Sequence, residues 1–169
     1  LATHDESEVK RMFTPEAFKS SIYTYTMDDA AARLFEIYFG ADSERVQVDN
    51  VWHVDYLLCV IVHIDGNHGA KIFGHVDRER DYDKKLDRPK LRLMTEVFKI
   101  AELYLKLADD LEDREASIHL DLNPKAIHGS SCAVSEAVGY IRGVCGLEPV
   151  IKPHSWCASN VADAVKRLC

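Results

Sequence analysis

The chain reads as a single α/β domain: a mixed five-stranded sheet, with three strands in an antiparallel meander and two parallel strands, carrying helices on both faces. Three observations lead there. The first half holds β-branched and aromatic runs separated by turn signals, and the second half alternates helical with extended patterns. The length of 169 residues suits one core of ordinary size. Strands separated by helices join most simply as right-handed parallel crossovers. No internal repeat, low-complexity tract or second domain interrupts residues 1–169.

Residues 1–13, opening Leu1-Ala2-Thr3-His4-Asp5, are expected to be a flexible or expression-derived end, since they have neither a basic segment nor an apolar core of secretory type. Residues 14–33 form a helical lead-in, with Thr14 as N-cap and Pro15 at the first helical position. The first strand opens on Leu34 to Phe39, apolar and aromatic for most of its length, breaks at Gly40 and delivers Asp42 at or just past its end. A polar turn, Glu44 to Asn50, separates it from a long second strand, Val51 to Ile64. Asp65-Gly66-Asn67 and Gly69 signal a hairpin turn into a third strand, Ala70 to Val76.

A helix follows from about Pro89 to Asp109, with Leu93, Val97, Ile100, Tyr104 and Leu107 at helical spacing. Ser117 to Asn123 alternates, so Ile118, Leu120 and Leu122 share one face while His119, Asp121 and Asn123 share the other. Ser130 or Ser131 is the expected cap of a second helix, stopped by Gly143. Leu147 to Ile151 makes a short fifth strand, and a last helix runs from near Ser155 to Leu168.

Composition narrows the function. An apolar share of 47% with 29% charged residues is that of a soluble globular protein, and no apolar run approaches the roughly 20 residues of a membrane span. No membrane partner is expected. Five cysteines, an odd number without a Cys-x-x-Cys pair, point to reduced thiols and a cytoplasmic location. A net charge of -7 excludes a protein that coats nucleic acid nonspecifically. It leaves room for a local basic track, and Lys84 to Arg92 supplies one, with Lys90 and Arg92 nearest the acid Glu96.

Four acids stand where a carboxylate is costly unless paired, hydrogen-bonded or bound to a metal. Asp42 follows a buried strand, Glu96 lies on the stripe Glu96, Ile100, Leu103, Leu107, Asp121 ends a central strand, and Asp163 sits among alanines of the last helix. Each has a plain structural account. Asp42 organises a turn, Glu96 pairs with Arg92 or Lys99, Asp121 begins the Asn123-Pro124 turn, or Asp163 pairs with Lys166 or Arg167. Their order decides between the readings: strand-end acid, meander, early-helix acid, strand-end acid, last-helix acid.

That order resembles the ribonuclease H fold. The motifs Gly40-Ala41-Asp42-Ser43, Ile118-His119-Leu120-Asp121-Leu122-Asn123 and the block from Lys152-Pro153 to Ala162-Asp163 together look like the YkuK-like family of predicted ribonuclease H-fold nucleases, over roughly Thr14 to Leu168. Arg92 to Glu96 is similar to that family's helix signature; Glu44 and His154 depart from its pattern. The resemblance implies that Asp42, Glu96, Asp121 and Asp163 are catalytic and hold two Mg²⁺ or Mn²⁺ ions that cleave a phosphodiester. It implies a partner among RNA, RNA–DNA hybrid or structured DNA.

Around the acids, Ser43 and Asn123 are candidates to orient water or phosphate, and Lys152, Lys90 and Arg92 to contact the nucleic-acid backbone. His119 shares the face of Asp121, either as a proton or phosphate contact or as a hydrogen-bonded strand histidine. Two other functions use the same residues: a catalytically inactive nucleic-acid-binding or scaffolding domain, and a metal-dependent phosphatase or nucleotide hydrolase.

Overall fold

The computed structural model describes residues 35–64, 70–84, 86–111, 114–157 and 159. The lead-in helix at 14–33, the hairpin turn at 65–69 and Asp163 lie outside these residues. Four strands form one sheet, β1 (Phe35–Val48), β2 (Val51–Ile64), β3 (Ala70–Arg80) and β4 (Glu115–Leu120), in the order β3-β2-β1-β4. The first three are the antiparallel meander, and β4 lies parallel to β1. Between β3 and β4 the long helix α1 (Lys90–Leu111) makes the crossover; after β4 a 3₁₀ turn (Gly129–Cys132) leads into α2 (Val134–Cys145).

The sheet is four-stranded rather than five. Leu147 to Ile151 contributes a single parallel bridge, His119 to Val150. Leu120 N–H donates to Val150 O and Val150 N–H to Ile118 O, each at 2.8 Å. Lys152 N–H also donates to Leu122 O at 3.0 Å, but Leu122 lies past the end of β4, so only the bridge at Val150 falls on the strand.

β1 also differs from the expected strand. It continues through Glu44 to Val48, and the turn contracts to Asp49 and Asn50, at φ 49° and 61°. Two central residues in the left-handed region make the tight hairpin whose twist matches its strands, and Asp and Asn are the non-glycine residues that tolerate it. Residue types placed a turn correctly but overstated its length. At α2 neither Ser130 nor Ser131 caps; Ala133 holds the N-cap without a side-chain bond, because Ser130 Oγ accepts instead from Asn123 N–H at 3.0 Å. The helix passes through Gly143 and ends at Gly146, which takes φ 68° and donates to Arg142 O at 3.2 Å.

The main core lies between the sheet and the two helices. Ile37, Phe39 and Ala41 of β1, Leu58, Val60 and Val62 of β2, and Ile118 and Leu120 of β4 meet Leu93, Val97, Ile100 and Leu107 of α1. Ile118, Leu120 and Leu122 are all buried, as their alternation requires. On the opposite face Leu57, Cys59 and Ile61 pack with Cys157, helical in backbone, and with Tyr38. Cys59 and Cys157 are free thiols whose sulfurs stand 3.6 Å apart. At the surface, Lys99 of α1 pairs with both Asp77 and Glu79 of β3.

One glycine is fixed by close approach. A Cβ at Gly129 would stand 2.1 Å from Asp87 O, so the 3₁₀ turn is pressed against the segment that enters α1. Gly139 and Gly143 in α2 have open space around the same position. Gly129→Ala is therefore expected to lower the urea-unfolding free energy by roughly 1–3 kcal/mol. Gly143→Ala should raise it by about 0.5–1 kcal/mol.

Candidate active site

Parallel register brings two of the acids together. The last ladder pair of β1 and β4 is Ala41 with Leu120, so Asp42 and Asp121 follow it side by side on strands about 4.8 Å apart. Asp42 is not at a strand end. It is inside β1, and it is β4 that stops, leaving Asp121 on irregular backbone beside it. Alternation puts Asp42 on the face of Gly40 and His119, while Ser43 turns to the face covered by α1.

Glu96 comes to Ser43 from α1, on the other face of β1 from Asp42. It lies in that helix's second turn, 5% exposed, on the stripe with Ile100, Leu103 and Leu107, all of them buried. Its carboxylate accepts a hydrogen bond from Ser43 Oγ. Arg92, one turn earlier, donates from one guanidinium nitrogen to Ser43 Oγ at 2.7 Å and to Ser43 O at 3.0 Å. Arg92 N–H is held by Asp83 at 3.1 Å. Helix spacing suggested that Glu96 would pair with Arg92 or Lys99; instead Ser43 stands between Glu96 and Arg92, and Lys99 is committed to β3.

Burial pushes the Glu96 carboxyl up to about 8. The Ser43 hydrogen bond opposes this; Asp42 raises it further, Arg92 lowers it and Asp121 raises it. Burial, and after it Asp42 and Asp121, thus disfavour the ionised form of Glu96.

The other candidates are placed as follows. Lys152 forms an ion pair with Asp121 Oδ1, a buried atom that receives no hydrogen bond of good geometry. His119 is buried, its Nδ1 accepts Trp156 N–H at 3.2 Å, and burial lowers its pKa. Tyr38 and Trp156 pack edge-on against its ring. Asn123 Oδ1 accepts from Lys125 N–H at 3.0 Å, organising its own turn. Lys90 pairs with Glu136 at the surface, 2.5 Å apart. Sequence spacing flagged Ser43 and Arg92 as substrate contacts; it carried no signal that they would bind each other.

The donors suit a hard cation: oxygen only, and several acids to balance its charge. Among the described residues no three His, Cys, Asp or Glu side chains stand close enough to enclose an ion. Ser43 engages Glu96 and Lys152 engages Asp121.

Comparison with known proteins supplies a family. The family described as Ribonuclease H-like matches residues 18–167. A 44-residue stretch is 54% identical to DNA topoisomerase 2 of several African swine fever virus isolates, the Tick/Malawi and Badajoz viruses among them; it covers 26% of this chain and 4% of each viral protein. The chain therefore spans only a small part of those relatives. Among solved structures, the crystal structure of NurA aligns over 84% of this chain and 34% of its own, at 11% identity and a TM-score of 0.25.

Glu96 generates two predictions. In metal-free protein its carboxyl is protonated more readily folded than unfolded, so stability is full below about 4.5 and declines as pH rises toward about 8. Urea titrations in chelator across that range should show the decline, and Glu96→Gln should remove most of it. Ser43→Ala strips Glu96 of its donor and Arg92 of its side-chain acceptor, leaving Arg92 only Ser43 O, and should cost roughly 1–3 kcal/mol at neutral pH by the same assay.

Proposed function

The chain belongs to the ribonuclease H-like family, and from that premise we propose that it is a divalent-metal-dependent nuclease, of the YkuK-like branch, acting on phosphodiester bonds of RNA, RNA–DNA hybrid or structured DNA. What supports this reading is the parallel register that sets Asp42 beside Asp121, with the buried Glu96 brought to the neighbouring Ser43 from α1. In this reading these three, with Asp163 beyond the described residues, hold two Mg²⁺ or Mn²⁺ ions. Bound there, the ions supply a clamp on the scissile phosphate and an activated water.

The chain's own groups have separate tasks in this proposal. Ser43 fixes the rotamer of Glu96, and Arg92 fixes Ser43. His119, packed beneath Trp156 and Tyr38, is backing for the strand that presents Asp121. Lys152 and the basic residues before α1 face the substrate backbone. Among the described residues no helix is long and apolar enough to cross a membrane.

A second reading rests on one observation: Lys152 already neutralises Asp121. An inactive nucleic-acid-binding domain of the same fold would keep that pair permanently. Its binding would be salt-dependent, indifferent to chelator and unaccompanied by a metal-induced rise in melting temperature.

The nuclease reading predicts cleavage of at least one substrate in a panel of RNA, RNA–DNA hybrid and branched DNA with Mg²⁺ or Mn²⁺, abolished by chelation. Asp42→Asn with Asp121→Asn should lower the rate by more than about 100-fold, beyond the loss typical of outer-shell partners. A wild-type protein that leaves the whole panel intact, or a double variant that still cuts, excludes the assignment.

A further inference from the structure

Lys152 is positioned by backbone as well as by charge. Its N–H donates to Leu122 O at 3.0 Å, and two residues earlier Val150 is clipped to β4 by hydrogen bonds on both sides. The segment is therefore laid along the end of β4, with the lysine beside Asp121. Its ammonium touches Asp121 Oδ1, the oxygen that is buried and lacks a hydrogen bond. Both side chains keep some solvent exposure, 37% for Lys152 and 22% for Asp121. The four-carbon stem of lysine gives the ammonium room to swing out without moving the backbone.

We propose that Lys152 is a placeholder cation: in the metal-free protein its ammonium takes the charge position at Asp121, and a divalent cation displaces it. This rests on the metal-binding reading of Asp42, Glu96 and Asp121. Register sets Asp42 and Asp121 side by side at the end of β4, so a protein cation at Asp121 offsets the cost of holding two carboxylates there. A monovalent ammonium on a flexible stem is outcompeted by an ion of twice its charge that several oxygens approach together. Arg92 cannot take this part, because its guanidinium is bound to Ser43 on the α1 side.

The test is Mn²⁺ binding to the full chain, followed by calorimetry and by melting temperature, for wild type, Lys152→Met, Lys152→Arg and Asp121→Asn. Removing the competing charge should tighten Mn²⁺ binding about two- to fivefold in Lys152→Met, the range expected for a part-exposed ion pair. The same variant should melt below wild type in chelator and gain more from added Mn²⁺. Lys152→Arg keeps the charge and should bind Mn²⁺ as wild type does. Lys152→Gln supplies the same measurement if the methionine disturbs the segment.

Wild-type binding that Asp121→Asn abolishes, together with unchanged or weaker binding in both neutral variants, overturns the placeholder role and leaves the nuclease reading standing. Absence of Mn²⁺ binding in wild type and in every Lys152 variant removes both.

Discussion

A buried carboxylate at the crossing of α1 over β1 sets the terms for the rest of the molecule. Glu96 is shut away from water, so the fold must supply it with a donor, a nearby cation and a rigid seat. Ser43 provides the donor, Arg92 the cation at one remove, and the packed stripe of Ile100, Leu103 and Leu107 the seat. Such a group is hard to justify as a contribution to stability, since an apolar residue there would cost less. Its presence is a reason to look for chemistry at that spot.

Topology explains why the acids meet although they are distant in sequence. A meander brings β1 to the middle of the sheet, and the α1 crossover then lays β4 parallel against its open side. Once Gly40 is opposite His119, the next residues but one on each strand must be neighbours, and both are aspartates. The helix that makes the crossover has to pass over β1 to do so, which delivers Glu96 to Ser43. The same connection that adds β4 to the sheet sets Asp121 beside Asp42 and Glu96 against Ser43.

Much of this was legible from periodicity. The stripe of α1 and the alternation of β4 were visible because each buries one face against a continuous core, so apolar spacing records them directly. Lengths and ends were less so. β1 overran its apolar run because pairing with β2 carries Glu44 to Val48 as strand despite their polarity, and Leu147 to Ile151 meets β4 only at its end, as a bridge. Within the site, Asp42, Glu96 and Asp121 were singled out by their awkward settings. The partners of Ser43, Arg92 and Lys152 were not, because a contact between residues far apart in the chain, 49 for Ser43 and Arg92, leaves no trace in local spacing.

The overrun of β1 has a mechanical meaning. Six residues of paired strand lie beyond Asp42, down to the tight hairpin at Asp49 and Asn50, so this acid stands mid-span on a beam tied to β2 along its whole length. Asp121, by contrast, hangs just off the end of its own beam. The backbone around it is tied not to β1 but to later parts of the chain: Lys152 N–H donates to Leu122 O and Asn123 N–H to Ser130 Oγ, each at 3.0 Å, so the two neighbouring aspartates are held by different parts of the fold.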